Sequence, residues 1–173
     1  MSILSCQYVS VPLTIEVCHG TIHHIMRFRT LLICLWIIGC STATLYGADY
    51  DTCIQTAAFR YKLNPNLIRA IIQVESGGNP HAVNVNDNGT RDLGLMQINS
   101  SWLPTLAQFG ISEEHLRTNS CVNIMVGSWI LAQNIREHGY TWKAIGRYNA
   151  VSESKMLAYA HKVYHAYNRI IRR

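Results

Sequence analysis

Long runs of any single kind are missing from this chain. It has no low-complexity segment, no internal repeat and no block of like charges, which argues against a disordered tail or a repeat array and for one compact domain. Acidic residues are few, 10 Asp and Glu against 15 Lys and Arg in 173 residues. The basic surplus gathers in the C-terminal third and suits an anionic polymer as partner. Without a recognition motif or an aromatic-basic platform, it gives no support to nucleic acid. His161 and His165 stand four apart but have no third ligand nearby, so a solvated helix face accounts for them and neither a metal nor any other cofactor is expected.

What is present begins with an apolar leader. Met26-Arg27-Phe28-Arg29 is basic, and Thr30 to Gly39 is an apolar run with the length of a signal-peptide core, too short for a membrane span. Cleavage is placed after Ala48, with Ala43 as the other position. A lipobox reading, in which Ile37-Ile38-Gly39 precedes an acylated Cys40, stands as the alternative. The expected division is therefore residues 1–25 outside the mature protein, with translation starting at Met26, residues 26–48 as signal peptide and residues 49–173 as the domain. Of six cysteines only Cys53 and Cys121 fall in that domain. In an oxidising periplasm such a pair is expected to form a disulfide rather than two buried thiols.

The chain is organised around Glu75 to Asn99. Pro65 to Val74 carries proline near the first turn and apolar residues at Leu67, Ile68, Ala70, Ile71, Ile72 and Val74, the pattern of a mostly buried helix, and Gly77-Gly78 stops it. Glu75 sits in its last turn, where apolar neighbours and the negative end of the helix disfavour a carboxylate anion and raise its pKa. A carboxyl kept protonated near neutrality can act as a general acid. Asn84, Asn86, Asp87, Asn88 and Gly89 then make a dense turn signal before Asp92-Leu93-Gly94-Leu95-Met96-Gln97-Ile98. A polar hairpin folding back beside Glu75 brings Asp92 across a groove from it, the two-carboxylate arrangement of glycoside hydrolysis. The plainer reading of Asp92 is a turn aspartate that accepts backbone hydrogen bonds.

E-S-G-x-N-P at Glu75 to Pro80, G-L-M-Q-I-N at Gly94 to Asn99, and Tyr148-Asn149-Ala150 occur in this order. Together they resemble the lytic transglycosylases of the soluble, goose-lysozyme-like type, above all the small specialised enzymes that accompany type III secretion, type IV pilus and conjugation machinery. The resemblance spans about Asp49 to Arg173. It implies a mainly α, lysozyme-like fold with a small β-hairpin beside the active-site groove, and cleavage of the β-1,4 bond between N-acetylmuramic acid and N-acetylglucosamine with a 1,6-anhydro product. It further implies Glu75 as the acid, Tyr148 with its hydroxyl close to that Glu, and sugars positioned by Ser76, Gln97, Asn99, Tyr148 and Asn149. Peptidoglycan strands are the implied partner, with components of such a machine beside them, and a monomer is expected.

Two departures stand out. A carboxylate just before G-L-M-Q is unusual in housekeeping members and makes the hairpin resemble that of animal c-type lysozymes, so a true hydrolase using Glu75 and Asp92 is the competing enzyme reading. Val151 follows Asn149-Ala150 where the family continues with glycine. A wall-binding assembly factor without catalysis is the reading from another class, and an intact Glu75 motif argues against it.

The remaining elements follow from caps and periodicity. Asp51 or Thr52 is expected to cap a first helix to about Lys62. Asn99 to Trp102 starts a short helix ending near Gly110, in which Trp102 either lines the groove or joins the core. Ser112 opens a helical turn, and Asn119-Ser120 caps the long apolar helix from Cys121 to about His138, expected to be the one against which the catalytic helix packs. Thr141 caps the segment leading to Tyr148, and a last helix is expected to turn Met156, Ala160, Val163, Tyr164, Tyr167, Ile170 and Ile171 inward.

Overall fold

A computed structural model describes residues 45–172 of the chain. The signal-peptide core, the start at Met26 and the Cys40 lipobox lie outside the described residues. The order is α1 (Leu45–Tyr61), α2 (Pro65–Glu75), β1 (Val83–Val85), β2 (Arg91–Leu93), β3 (Ile98–Asn99), α3 (Leu103–Ala107), α4 (Glu113–Thr118), α5 (Ser120–His138), α6 (Trp142–Gly146) and α7 (Glu153–Ile171), with a 3-10 turn at Ser100–Trp102 ahead of α3. The result is mainly helical with one small antiparallel sheet, ordered β1-β2-β3.

Local chemistry sets most of these boundaries. Asn64 caps α2 by accepting from the amide of Asn66, and Pro65 occupies the first helical position, where a missing N–H costs nothing. Ser112 and His115 form a reciprocal capping box on α4, while Asn119 caps α5 and Thr141 caps α6 through their side-chain oxygens. The first helix departs from expectation by beginning at Leu45, upstream of Asp51. Between Leu45 and Asp51 only Gly47 opposes a helix, at a cost of about 1 kcal/mol, which a helix of this length carries. Asp51 is thereby inside α1 and forms an ion pair with Arg69 of α2.

A disulfide joins Cys53 of α1 to Cys121 in the first turn of α5, with the Cα atoms 5.2 Å apart. Closing a loop of 68 residues is worth about 4 kcal/mol in the chain-entropy account. It fixes α1 along α5, and those two helices share one of the two largest helix contacts in the domain.

The other large contact is between α2 and α7. The catalytic helix was expected to lie on α5, and its main partner is instead the C-terminal helix. The cause is visible in the inward stripe of α7, which consists of Met156, Tyr159, Ala160, Val163 and Ala166, while Tyr164 and Ile171 are 45% and 50% exposed. On the α2 side Leu67, Ile68, Ala70, Ile71 and Ile72 are all buried. Trp102 is half-buried and meets Trp129 of α5 edge to face at 5.5 Å.

Candidate active site

Glu75 is the last residue of α2, and the chain turns away after it because Gly77 and Gly78 take positive φ values of 63° and 87°. Ser76 secures the turn. Its hydroxyl donates to the carbonyl of Leu95 at 2.8 Å and accepts from the amide of Gly78 at 3.2 Å, so the end of α2 is tied to the loop between β2 and β3.

That loop, Gly94 to Gln97, is held from beneath by Asn123 of α5, a side chain with 1% exposure. Asn123 donates to the carbonyls of Leu93 at 2.8 Å and Leu116 at 3.0 Å, and its Oδ1 accepts from the amide of Met96 at 2.8 Å. Every polar atom of the amide is thus used, as burial demands. Gly94 has φ 72°, and a Cβ there would come within 2.3 Å of Asn123 Nδ2, which excludes any other residue at the first position of G-L-M-Q-I-N. Gln97, itself at φ 47°, donates to the carbonyls of Gly94 at 2.8 Å and Ala82 at 3.2 Å, and closes the loop onto the start of β1.

The register of the sheet explains how Asp92 is held. Asn84 and Asn99 are its cross-strand partners on either side, so the three side chains share one face, and Asn86 joins them two residues further along β1. Asp92 accepts from Asn99 Nδ2 at 2.7 Å, from Asn86 Nδ2 at 3.0 Å and from Asn84 Nδ2 at 3.4 Å. The alternation in V-N-V therefore runs opposite to an ordinary half-buried strand. Its asparagine meets the aspartate, and Val83 and Val85 face outward at 45% and 69% exposure.

Glu75 lives in a different environment. Tyr159 of α7 donates its hydroxyl to Glu75 Oε1 at 2.5 Å. The Tyr159 ring stacks on Tyr148 with centroids 6.4 Å apart, and the Tyr148 hydroxyl donates to the carbonyl of Met96 at 2.9 Å. So the phenol touching the carboxyl is that of Tyr159, and Tyr148 spends its hydroxyl on the G-L-M-Q loop. Burial holds both phenols neutral well above their ordinary range, and the charge of Glu75 adds to this. The Glu75 carboxyl is pushed up to about 7. Burial is the largest cause, the Tyr159 hydrogen bond opposes it, the charge of Asp92 raises it further and Lys162 opposes.

A cavity of about 240 Å³ opens beside this carboxyl, lined by Asn149, Tyr159, Lys155 and Lys162 as well as Glu75. Asn149 is exposed on it, and Val151, standing where the resemblance calls for glycine, points to solvent at 78% exposure. Ser76, Gln97, Asn99 and Tyr148 each use polar atoms on the protein, and Asn99 also caps the following turn through its Oδ1. Tyr159 and Asn123 were not legible as site residues. The signals available were the spacing of Tyr159 between Met156 and Val163 on the inward stripe, and an asparagine placed within an apolar helix.

A half-buried acid at a helix end, a loop built from G-L-M-Q-I-N and a hairpin aspartate define the geometry, and comparison with known proteins gives it a family. Residues 52–170 match the transglycosylase SLT domain. The chain belongs to that family. Its activity is that of a lytic transglycosylase. Among relatives of this SLT chain, invasion protein IagB of Salmonella typhimurium is 34% identical over 143 residues, covering 80% of this chain and 86% of its own. Protein IpgF of Shigella flexneri is 37% identical over 140 residues, covering 79% and 90%. The X polypeptide of Escherichia coli K12 is 38% identical over 151 residues, covering 84% and 86%. Among the described residues no group of His, Cys, Asp and Glu is arranged to hold a metal ion.

Proposed function

We propose that this transglycosylase cleaves the β-1,4 bond between N-acetylmuramic acid and N-acetylglucosamine, with Glu75 serving first as acid and then as base. The supporting observation is the half-buried Glu75 carboxyl, held near pH 7 and beside an open cavity, which makes both protonation states accessible at neutral pH. Protonated Glu75 gives its proton to the glycosidic oxygen as the C1–O bond breaks and the N-acetylglucosamine 4-hydroxyl departs. The resulting carboxylate takes the proton of the muramyl 6-hydroxyl, whose oxygen closes on C1 to form the 1,6-anhydro ring. No water is consumed and Glu75 ends protonated.

In this reading Asp92, which accepts hydrogen bonds from three asparagine amides, supplies a negative charge that favours the oxocarbenium-like transition state. Asn149 contacts sugar directly, while Ser76, Gln97, Asn99 and Tyr148 shape the groove wall that sugar meets. The same hydrogen-bonded environment of Asp92 favours a second reading, hydrolysis, in which a water attacks C1. Mass analysis of muropeptides released from purified sacculi separates the two: anhydromuramyl ends support transglycosylation, and reducing ends require the hydrolase. Absence of any product leaves neither.

The workplace proposed is the periplasm, reached through a cleaved signal peptide. The Cys53–Cys121 disulfide suits an oxidising compartment, and among the described residues no helix is long and apolar enough to cross a membrane. Local wall opening for a secretion, pilus or conjugation apparatus is the proposed biological role, supported by the small size of the domain and by a relative that is an invasion protein. Pull-down against periplasmic components of such a machine tests it, and failure to bind any would count against a dedicated role.

A further inference from the structure

Two lysines of α7 transfer no proton in the chemistry above, and Lys162 enters it only as a charge that favours ionised Glu75. Lys155 and Lys162 both line the Glu75 cavity and both are exposed. The arginines nearest in kind are already engaged, Arg69 with Asp51 and Arg91 with Glu113 at 2.6 Å, whereas no salt bridge among the described residues occupies either lysine. The two ammonium groups rise from one helix two turns apart, about 10 Å along its axis. An otherwise polar cavity therefore carries two unneutralised cations on one lip, and the acid on its other side is the one that is protonated when it begins its work.

Resting on the transglycosylase reading, we infer that Lys155 and Lys162 form a subsite for the carboxylates of the stem peptide carried by the muramyl residue undergoing cleavage. The chemistry of the polymer leads there. The bond that Glu75 protonates is at C1 of muramic acid, and the lactyl ether bearing the peptide leaves from C3 of that same ring, so the stem exits close to the reacting carboxyl. The stem contributes free carboxylates, which are anionic at neutral pH. An extended peptide advances about 3.4 Å per residue, so cations about 10 Å apart match carboxylates a few residues apart. Neutral N-acetylglucosamine offers either lysine hydrogen-bond acceptors but no charge to pair with. The subsite thus distinguishes a strand that carries stems from one that has been stripped.

The test compares three substrates with the purified protein at low ionic strength: glycan strands with stems, strands stripped of stems by an amidase in which the lactyl carboxylate left on each muramyl ring has then been converted to an amide, and strands whose stem carboxylates have been converted to amides. The quantity read is the ratio of kcat/KM for stem-bearing over stripped strands. Because both substrates meet the same Glu75, any effect of Lys162 on that carboxyl cancels from the ratio. Exposed ion pairs are individually modest, so the ratio is expected to be about five to ten in the native protein, and to shrink as salt is added. Amidated strands should behave as stripped ones. The double substitution Lys155→Gln with Lys162→Gln should bring the ratio near one whatever its absolute rate, and Lys155→Arg with Lys162→Arg should restore it. A ratio unchanged by the glutamine pair, or amidated strands cleaved as well as carboxylate strands, overturns the subsite while leaving the transglycosylase reading intact. Native protein that cleaves none of the three substrates overturns that reading instead.

Discussion

The end of α2 and the three-stranded hairpin each present one carboxylate, and the two are treated in opposite ways. Glu75 is shielded by the α2–α7 contact, and this burial outweighs the opposing hydrogen bond from the Tyr159 phenol, so its proton is retained to about pH 7. Asp92 stands on a small sheet with exposed neighbours and receives three amide donors, none of which can accept a proton from it. The difference is one of placement rather than residue type. A carboxyl inside a helix–helix seam pays for ionisation in lost hydration, which is the largest cause of the raised Glu75 pKa. In the proposed mechanism the pair divides the work of glycan cleavage between a proton carrier and a fixed charge.

The largest break in this division comes from Glu75→Gln, which keeps shape but removes the proton. Wall-lytic rate is expected to fall by a factor of about 100 to 10,000, measured as muropeptide release. The same substitution should make the protein more stable at alkaline pH. The folded-state pKa of Glu75 is raised from 4.5 to about 7, so the native state binds this proton more tightly than the unfolded chain. Its contribution is fully present below about 4.5 and is lost as pH rises through about 7, by as much as about 3 kcal/mol. Thermal unfolding of both proteins at pH 4 and pH 8 checks this: the variant should gain relative to the native protein only at the higher pH. Near-native lysis by the variant would remove Glu75 from the mechanism.

Asn123→Ala acts from beneath the Gly94–Gln97 loop. It leaves the Met96 amide and the Leu93 and Leu116 carbonyls without their buried partner. About 3 kcal/mol of stability should go, a fall of roughly 10 °C in Tm. Calorimetry gives the number, and a change under 2 °C, on the scale of about 0.5 kcal/mol, would mean that water replaces the amide without loss.

What the sequence made legible follows the same divide. Glu75 and Asp92 stand in local motifs whose turn residues and helix stop are adjacent in the chain, and caps such as Asn119 and Thr141 are likewise local. Tyr159 and Asn123 reach the site only through tertiary packing, from 84 residues away in the case of Tyr159 and Glu75. Periodicity puts Tyr159 and Tyr164 on one helix without saying which meets α2, and only the packed structure shows Tyr159 buried and Tyr164 exposed. The packing of α2 on α5 was expected because α5 is the longer apolar helix; α1, fixed by the disulfide, already occupies that face.

Asp92→Asn tests the fixed charge. If the hairpin needed only a hydrogen-bond acceptor, an amide oxygen would serve, and the rate would hold. With the negative charge gone, a fall of at least about tenfold is expected, roughly 1.4 kcal/mol of transition-state stabilisation. The pH profile carries a second signature. Asp92 helps to raise the Glu75 carboxyl, so its neutralisation should move the alkaline limb of activity to lower pH. An unchanged rate in a well-folded variant would leave Glu75 working alone.

Tyr159→Phe is the mildest change and should move the same limb the other way. The Tyr159 hydroxyl donates to Glu75 Oε1 and so favours the ionised carboxyl, the one neighbour on α7 besides Lys162 that holds its pKa down. Removing the hydroxyl while keeping the ring preserves the stack on Tyr148 and the apolar cover, so burial acts with less opposition and the carboxyl becomes harder to ionise. The alkaline limb should rise by less than about one pH unit, and the rate below pH 6 should change only a few-fold, since the acid form is already dominant there. Returning the proton is the step that suffers, because the carboxylate that must deprotonate the 6-hydroxyl has lost a hydrogen bond that orients it. Opposite displacements of the limb in Asp92→Asn and Tyr159→Phe, recorded under one set of buffers, are what a limb set by the Glu75 carboxyl requires, since Asp92 raises its pKa and Tyr159 lowers it. Displacements in the same direction would mean that the limb belongs to another group.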